Sequence, residues 1–163
     1  MKRLILLALF AALASVPAAA QDAESAARRC DESLWRHVYG PSRLKVVDRC
    51  VTVTGTIVKA SPEKDGDIHI NVRLDPRYRH LLNRFNHTEQ GGTLVVEPIC
   101  TETPEIGPAK VACGSFRQRI RVPRPGTRVS ITGALVYDER VKIRGEWTHG
   151  WREIHPVTSI RPL

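Results

Sequence analysis

The sequence predicts a small, mainly β protein: a five-stranded closed β-barrel with one internal helix and a short N-terminal helix. Three observations predict it. β-branched runs of strand length recur between turn signals. Two of those runs carry a glycine in mid-strand, where a barrel strand bends. A length of 163 residues leaves room for one core rather than two, and excludes a doubly wound dinucleotide-binding enzyme with a separate substrate domain. Lys+Arg number 25 against 17 Asp+Glu, a net charge of +8.

Residues 1–20 have the three parts of a secretory signal: Lys2-Arg3, an apolar run from Leu4 to Val16, and Ala18-Ala19-Ala20 before Gln21. The competing reading is an uncleaved anchor, but the run is short for a hydrocarbon core of about 30 Å and ends at Pro17. No cysteine follows it as a lipoprotein requires, and no later segment approaches a spanning helix. The mature chain is therefore expected to be soluble and exported, to a bacterial-type periplasm or outside the cell. Beyond Ala20, 143 residues carry 23 Lys+Arg and 17 Asp+Glu, a net charge of +6. Roughly 36% of them are apolar, a thin supply for a core.

Export sets the reading of Cys30, Cys50, Cys100 and Cys113. They are even in number, fall in an oxidising compartment and include no C-x-x-C pair of the zinc type. Of three connectivities, Cys30–Cys50 and Cys100–Cys113 close the shortest loops. Each bridge contributes about 3 kcal/mol by restricting the unfolded chain.

Ala23, Ala26, Ala27, Cys30, Leu34 and Val38 lie at spacings of three and four, one stripe of a helix ended by Gly40-Pro41. Val51, Val53 and Gly55 to Val58 then form a strand, and Ser61 to Gly66 a turn. From Asp67 to Leu74 the alternation is clean: Ile68, Ile70, Val72 and Leu74 face one way, Asp67, His69, Asn71 and Arg73 the other. Asp75-Pro76 offers an N-cap and a proline at the first helical position, before Tyr78, Leu81, Leu82 and Phe85 at helical spacing. Gly91-Gly92 leads to a strand from Thr93 to Glu97, and residues 101–115 read as a loop pinned by the second cysteine pair. Strands from Thr127 to Tyr137 and from Trp151 to Ile160 complete the count. The organisation is thus a signal at 1–20, a helical segment at 21–42 and a barrel domain at 43–163, with no internal repeat.

Val53-Thr54-Gly55-Thr56-Ile57-Val58 and Val129-Ser130-Ile131-Thr132-Gly133-Ala134-Leu135-Val136 resemble the glycine-bent strands of an OB-fold, over roughly residues 43–161. That family places its helix after the third strand, whereas here the internal helix falls between the second and third. A different small β-barrel is the structural alternative.

Imidazole and carboxylate occur in pairs. Asp67-x-His69 projects both side chains to one face of its strand, and Glu153-x-His155 does the same on the last strand, with His149 and Trp151 just upstream. Glu97, between Val96 and Pro98, adds a carboxylate from a third strand. These donors suit zinc or another borderline divalent ion, while the bland alternative is the solvent face of alternating strands. The OB resemblance implies a last strand beside the first, with a strand between the two pairs, which leaves the ligands about 10 Å apart. His37, His80 and His87 have no partner pattern and read as surface residues.

Lys59-Ala60 and the Asp65-Gly66-Asp67 turn also resemble the calcium-binding turn of staphylococcal nuclease-type enzymes, themselves OB barrels. The resemblance implies Asp67 as a cation ligand that neutralises a phosphodiester during hydrolysis. The family's next strand leads to an Asp-Thr-Pro-Glu-like segment, where this chain has Arg73-Leu74-Asp75-Pro76. No glutamate follows that proline.

A basic set points elsewhere. Arg140, Lys142, Arg144 and Arg152 interleave with Trp147 and Trp151, with Arg73 beside them, as cations and flat rings that grip a polyanion do. OB-folds commonly use that loop for oligonucleotides and oligosaccharides. Arg117, Arg119, Arg121 and Arg124 alternate along one further strand face. The bland alternative is a solvated hairpin whose tryptophans cover the barrel mouth. Ser130 and Ser159 lie in no nucleophile elbow, and there is no Gly-rich phosphate loop. Asn86-His87-Thr88 fits the glycosylation pattern.

The expectation is an exported binding module for an anionic ligand: a polysaccharide, a nucleic acid (less natural outside the cytoplasm) or a protein partner. The competing class is a metal-dependent hydrolase or phosphodiesterase using Asp67, His69, Glu153 and His155. No cofactor is expected beyond that divalent metal.

Overall fold

The computed structural model describes residues 30–139, 141–143, 146–148 and 150–163, with the backbone alone described at 141–143 and 146–148. The expected signal and the beginning of the N-terminal helix lie outside the described residues. Seven strands follow in chain order: β1 (Leu44–Pro62), β2 (Ile68–Leu74), β3 (Leu94–Val96), β4 (Arg128–Asp138), β5 (Val141–Ile143), β6 (Glu146–Thr148) and β7 (Arg152–Pro162). Five of them close into a ring in the order β1-β2-β3-β7-β4, so the expected mainly β barrel is present.

β1 serves two neighbours. It pairs antiparallel with β4 from Leu44↔Asp138 to Thr56↔Arg128 and with β2 from Gly55↔Leu74 to Pro62↔Ile68. A single strand reaches both only by coiling, and register shifts between Val46 and Asp48, Asp48 and Val51, and Ile57 and Lys59 supply the bulges. Gly55 stands where the two ladders meet; a Cβ there would lie 2.5 Å from the Arg73 carbonyl oxygen. Gly133 on β4 is equally confined, 2.6 Å from the Pro156 carbonyl oxygen. Glycine is needed at both points for close approach.

β3 is short and fully buried, antiparallel to β2 and parallel to β7. β7 also pairs antiparallel with β4, so the last strand lies between β3 and β4 and not beside β1. Val53, Ile70, Val72, Leu94, Ile131 and Ile154 fill the ring and are fully buried. A second apolar cluster packs on its outside, joining Leu34, Val38, Ile99, Cys113 and Val136.

The helices are shorter than their patterns suggest. The described part of the N-terminal segment is a 3₁₀ helix at Glu32–His37, capped by the Asp31 carboxylate accepting from Ser33 N–H at 2.9 Å. The internal helix divides into a 3₁₀ turn at Pro76–Leu81 and α1 at Arg84–Glu89. Asn83 causes the break, because its side chain caps α1 in a reciprocal box with Asn86. Asp75 holds the N-cap position of the 3₁₀ turn without capping it; its carboxylate accepts from the Thr54 hydroxyl and, at 2.6 Å, from Arg128.

The pinned loop contains a helix, α2 at Gly107–Cys113, with Pro108 in its first turn, where the missing N–H costs nothing. Both expected disulfides form, Cys30–Cys50 and Cys100–Cys113. Arg117 to Arg124 alternate out and in as expected, but the segment joins no ladder. The expected loop before β7 is in part a hairpin, β5 against β6, with Lys142 opposite Trp147. Among the described residues no helix is long and apolar enough to cross a membrane.

Candidate functional site

Strand alternation decides which side chains leave the barrel. Ile70 and Val72 of β2 and Ile154 of β7 point inward, so His69, Glu153 and His155 point outward. β3 ends at Val96 between those strands, which brings Glu97 out on the same face. The face is covered. Asp67, just before β2, accepts the Cys100 N–H on Oδ1 at 2.7 Å. The Gln118 side chain accepts from Ile99 N–H at 2.8 Å and donates to the Val157 carbonyl at 2.6 Å, fastening the cysteine-pinned segment over β7.

Beneath lies a network of ions. Glu97 bridges the two histidines: Oε1 accepts from His69 Nδ1 and Oε2 from His155 Nδ1, each at 2.9 Å. Glu153 Oε1 lies 3.2 Å from His155 Nδ1, and Glu153 Oε2 accepts the Trp151 indole N–H at 2.9 Å. Arg43 pairs with Asp138 and approaches Glu153 Oε1 to 3.9 Å. The other ring nitrogen of His69 contacts Gln90 Oε1 at 3.3 Å, so both its nitrogens are engaged. Asp67, Glu97, Glu153 and His155 are all buried, the last completely.

Burial disfavours every charge here, and the partners decide the outcome. Burial raises Asp67 to about 7, against the attraction of His155. For His155 burial is outweighed by Glu153 and Glu97, and its pKa rises to about 10. His69 rises to about 9, because its hydrogen bond to Glu97 overcomes desolvation. Glu97 is held well below the usual carboxylate range, its own burial overcome by the two histidines.

The two acid–imidazole pairs therefore meet. A strand does separate them, but it is β3, and Glu97 at its end spans the gap. His155 Nε2 stands 3.8 Å from Asp67 Oδ2, in place of the expected separation of about 10 Å. Asp67, Glu97 and His155 each offer a donor atom within 4.8 Å of the others. His69 and Glu153 flank this trio, and His149 lies outside the described residues. Glu97 became central because β7 runs parallel beside β3, a non-local pairing. The signal in the chain was a charged residue inside the buried run from Leu94 to Cys100.

The basic residues are distributed differently from expectation. Arg140 and Arg144 lie outside the described residues, as do the side chains of Lys142 and Trp147. Trp151 is half-buried with its N–H on Glu153, turned into the ion network and not presented as a stacking platform. Arg152 is half-buried and contacts the Leu81 carbonyl at 3.4 Å, while Arg73 is exposed on β2. His80 and His87 are exposed as expected. His37 is not a free surface residue: its ring stacks on Phe116 at 4.1 Å.

Four other arginines gather along a groove between residues 119–127 and the end of β7. Arg119, Arg121 and Arg161 border a cavity of about 370 Å³, and Arg121 and Arg124 an adjoining one of about 800 Å³. Gln118, Ile120 and Val122 turn inward, so Arg117, Arg119 and Arg121 project to solvent. Among the described residues no carboxylate lies within ion-pair distance of Arg119, Arg121, Arg124 or Arg161. No family model, no curated protein and no solved structure matches the chain.

Proposed function

We propose that this chain is an exported OB-type barrel that binds a linear anionic ligand along the groove of Arg119, Arg121, Arg124 and Arg161. The observation that carries the reading is these four exposed guanidiniums, beside cavities of ligand-binding size, without a carboxylate partner among the described residues. Guanidiniums on alternate residues of an extended segment stand about 6.6 Å apart, which suits repeated anionic groups better than one small ion. The surplus positive charge adds long-range attraction. α2 between the third and fourth barrel strands supports the OB reading, since that family carries its helix after the third strand. Two disulfides support an oxidising, exported setting.

The hydrolase reading gains nothing from this geometry. His155 is 0% and Glu153 1% exposed, so a scissile bond cannot touch them in this closed arrangement.

The test compares the full chain with an Arg119→Gln/Arg121→Gln/Arg124→Gln variant on an immobilised sulfated polysaccharide and on a single-stranded oligonucleotide. The variant should elute at distinctly lower salt. Its slope of log affinity against log salt on the oligonucleotide should shrink by about 2. Equal elution of both proteins, or no retention of the wild type at physiological salt, defeats the proposal.

A further inference from the structure

The geometry points to Asp67, Glu97 and His155 as the protein ligands of one divalent transition cation, zinc by donor chemistry, seated beneath the Cys100–Cys113 segment. This site is separate from the arginine groove and does not depend on it.

Three buried side-chain atoms have no hydrogen-bond partner, and one of them, Glu153 Oε1, lies 3.2 Å from His155 Nδ1. The other two are Asp67 Oδ2 and His155 Nε2. They face each other across 3.8 Å, too far for a hydrogen bond. Leaving such groups unpaired costs about 1–3 kcal/mol each, so the arrangement calls for something between them. Two donors each about 2.0–2.1 Å from a common zinc stand up to about 4.1 Å apart, and the observed gap falls within that reach. The third donor, from Glu97, lies within 4.8 Å of both; tetrahedral zinc sets its donors about 3.4 Å apart, so the side chains close by up to about 1.4 Å to complete the set.

Each ligand is already held by its other atom. Asp67 Oδ1 is fixed by the Cys100 N–H, and Glu97 Oε1 by His69 Nδ1. His155 Nδ1 has Glu153 Oε1 at 3.2 Å, and Glu153 is itself fixed by the Trp151 indole. Asp67 Oδ2 and His155 Nε2 are left without a partner, whereas Glu97 Oε2 is held by His155 Nδ1 and becomes available only by giving up that bond. A carboxylate behind the ligating imidazole is the usual support of a metal-bound histidine. Cation binding at Nε2 would release the Nε2 proton of His155 to solvent, while its Nδ1 hydrogen would pass from Glu97 to Glu153 and free Glu97 Oε2 as a ligand. Two carboxylates balance the double charge, so the buried centre is neutral. An imidazole donor selects a borderline transition cation over calcium, which takes oxygen ligands.

The full chain, purified without chelator, should carry about one equivalent of zinc by elemental mass spectrometry. After chelator treatment and dialysis, zinc at 100 times its dissociation constant should raise the melting midpoint by roughly 8 °C, and calcium should not. Cobalt(II) should give visible d–d absorption of a nitrogen–oxygen site. Asp67→Asn, which keeps the Cys100 contact and the side-chain shape, should abolish the zinc shift, and exposed Asp48→Asn should retain it. If the wild type carries no stoichiometric metal and neither zinc nor cobalt produces its signal, the trio is a closed ion network and the proposal is overturned. Those wild-type measurements decide the matter even if Asp67→Asn fails to fold.

Discussion

Asn86 shows most plainly how a single polar side chain is used here. It is 0% exposed, and its amide makes four bonds. It donates to the carbonyls of Thr93 and Arg152 at 3.0 and 2.9 Å, and accepts from the N–H groups of Asn83 and Arg152 at 3.0 Å each. It thereby ties α1 to the start of β7, the strand that carries Glu153 and His155. Asn86→Ala removes the partner of four backbone groups, at about 1 kcal/mol each, so urea denaturation should show a loss of roughly 4 kcal/mol. A loss under about 1 kcal/mol would mean that the clasp is dispensable. The same burial removes Asn86 as a glycosylation acceptor in the folded chain, despite its Asn-His-Thr context. Periodicity cannot reveal such a residue, because its four partners come from three separate segments.

The elements were legible where local chemistry decides them, and illegible where a neighbour does. Alternation from Ile68 to Leu74 needs only a buried face, and Gly55 and Gly133 mark real points of close approach. The cysteine pairing followed from loop length. The alternating segment from Arg117 to Arg124 has the pattern of a strand, yet β4 and β7 already pair with each other along the closed ring, and Pro123 and Pro125 lack N–H donors. α2 was hidden because Gly107 and Pro108 read as breakers, although a proline in the first helical turn is harmless. The Cys100–Cys113 bridge makes this covering segment an element with a testable role. It closes a loop over 13 positions, so Cys100→Ser/Cys113→Ser should cost about 3 kcal/mol in urea denaturation. An unchanged midpoint would show that Gln118 and the apolar packing of Ile99 hold the cover without the bridge.

At the scale of the whole molecule, one topological fact organises the rest. β7 lies between β3 and β4, so the same eleven residues complete the ring, supply Glu153 and His155, and line the arginine groove with Arg161. The two acid–imidazole pairs were readable in the chain as motifs, but their meeting was not, since it depends on a parallel pairing across more than fifty residues. Neither the ion network nor its cover has support apart from the ring: Glu97 N–H bonds the Ile154 carbonyl at 3.0 Å, and Gln118 grips Val157. The two apolar clusters likewise share β4, which turns Leu135 inward and Val136 outward. The ring and its cover should therefore unfold as one unit. In a Trp147→Phe background, the remaining tryptophans report on the cover (Trp35) and the ion network (Trp151), while far-UV circular dichroism reports on the ring. Their thermal midpoints should coincide within about 1 °C. An earlier tryptophan transition would show that the covering layer opens independently of the barrel. It would also give substrates the access to His155 that the closed structure denies, reviving the hydrolytic alternative.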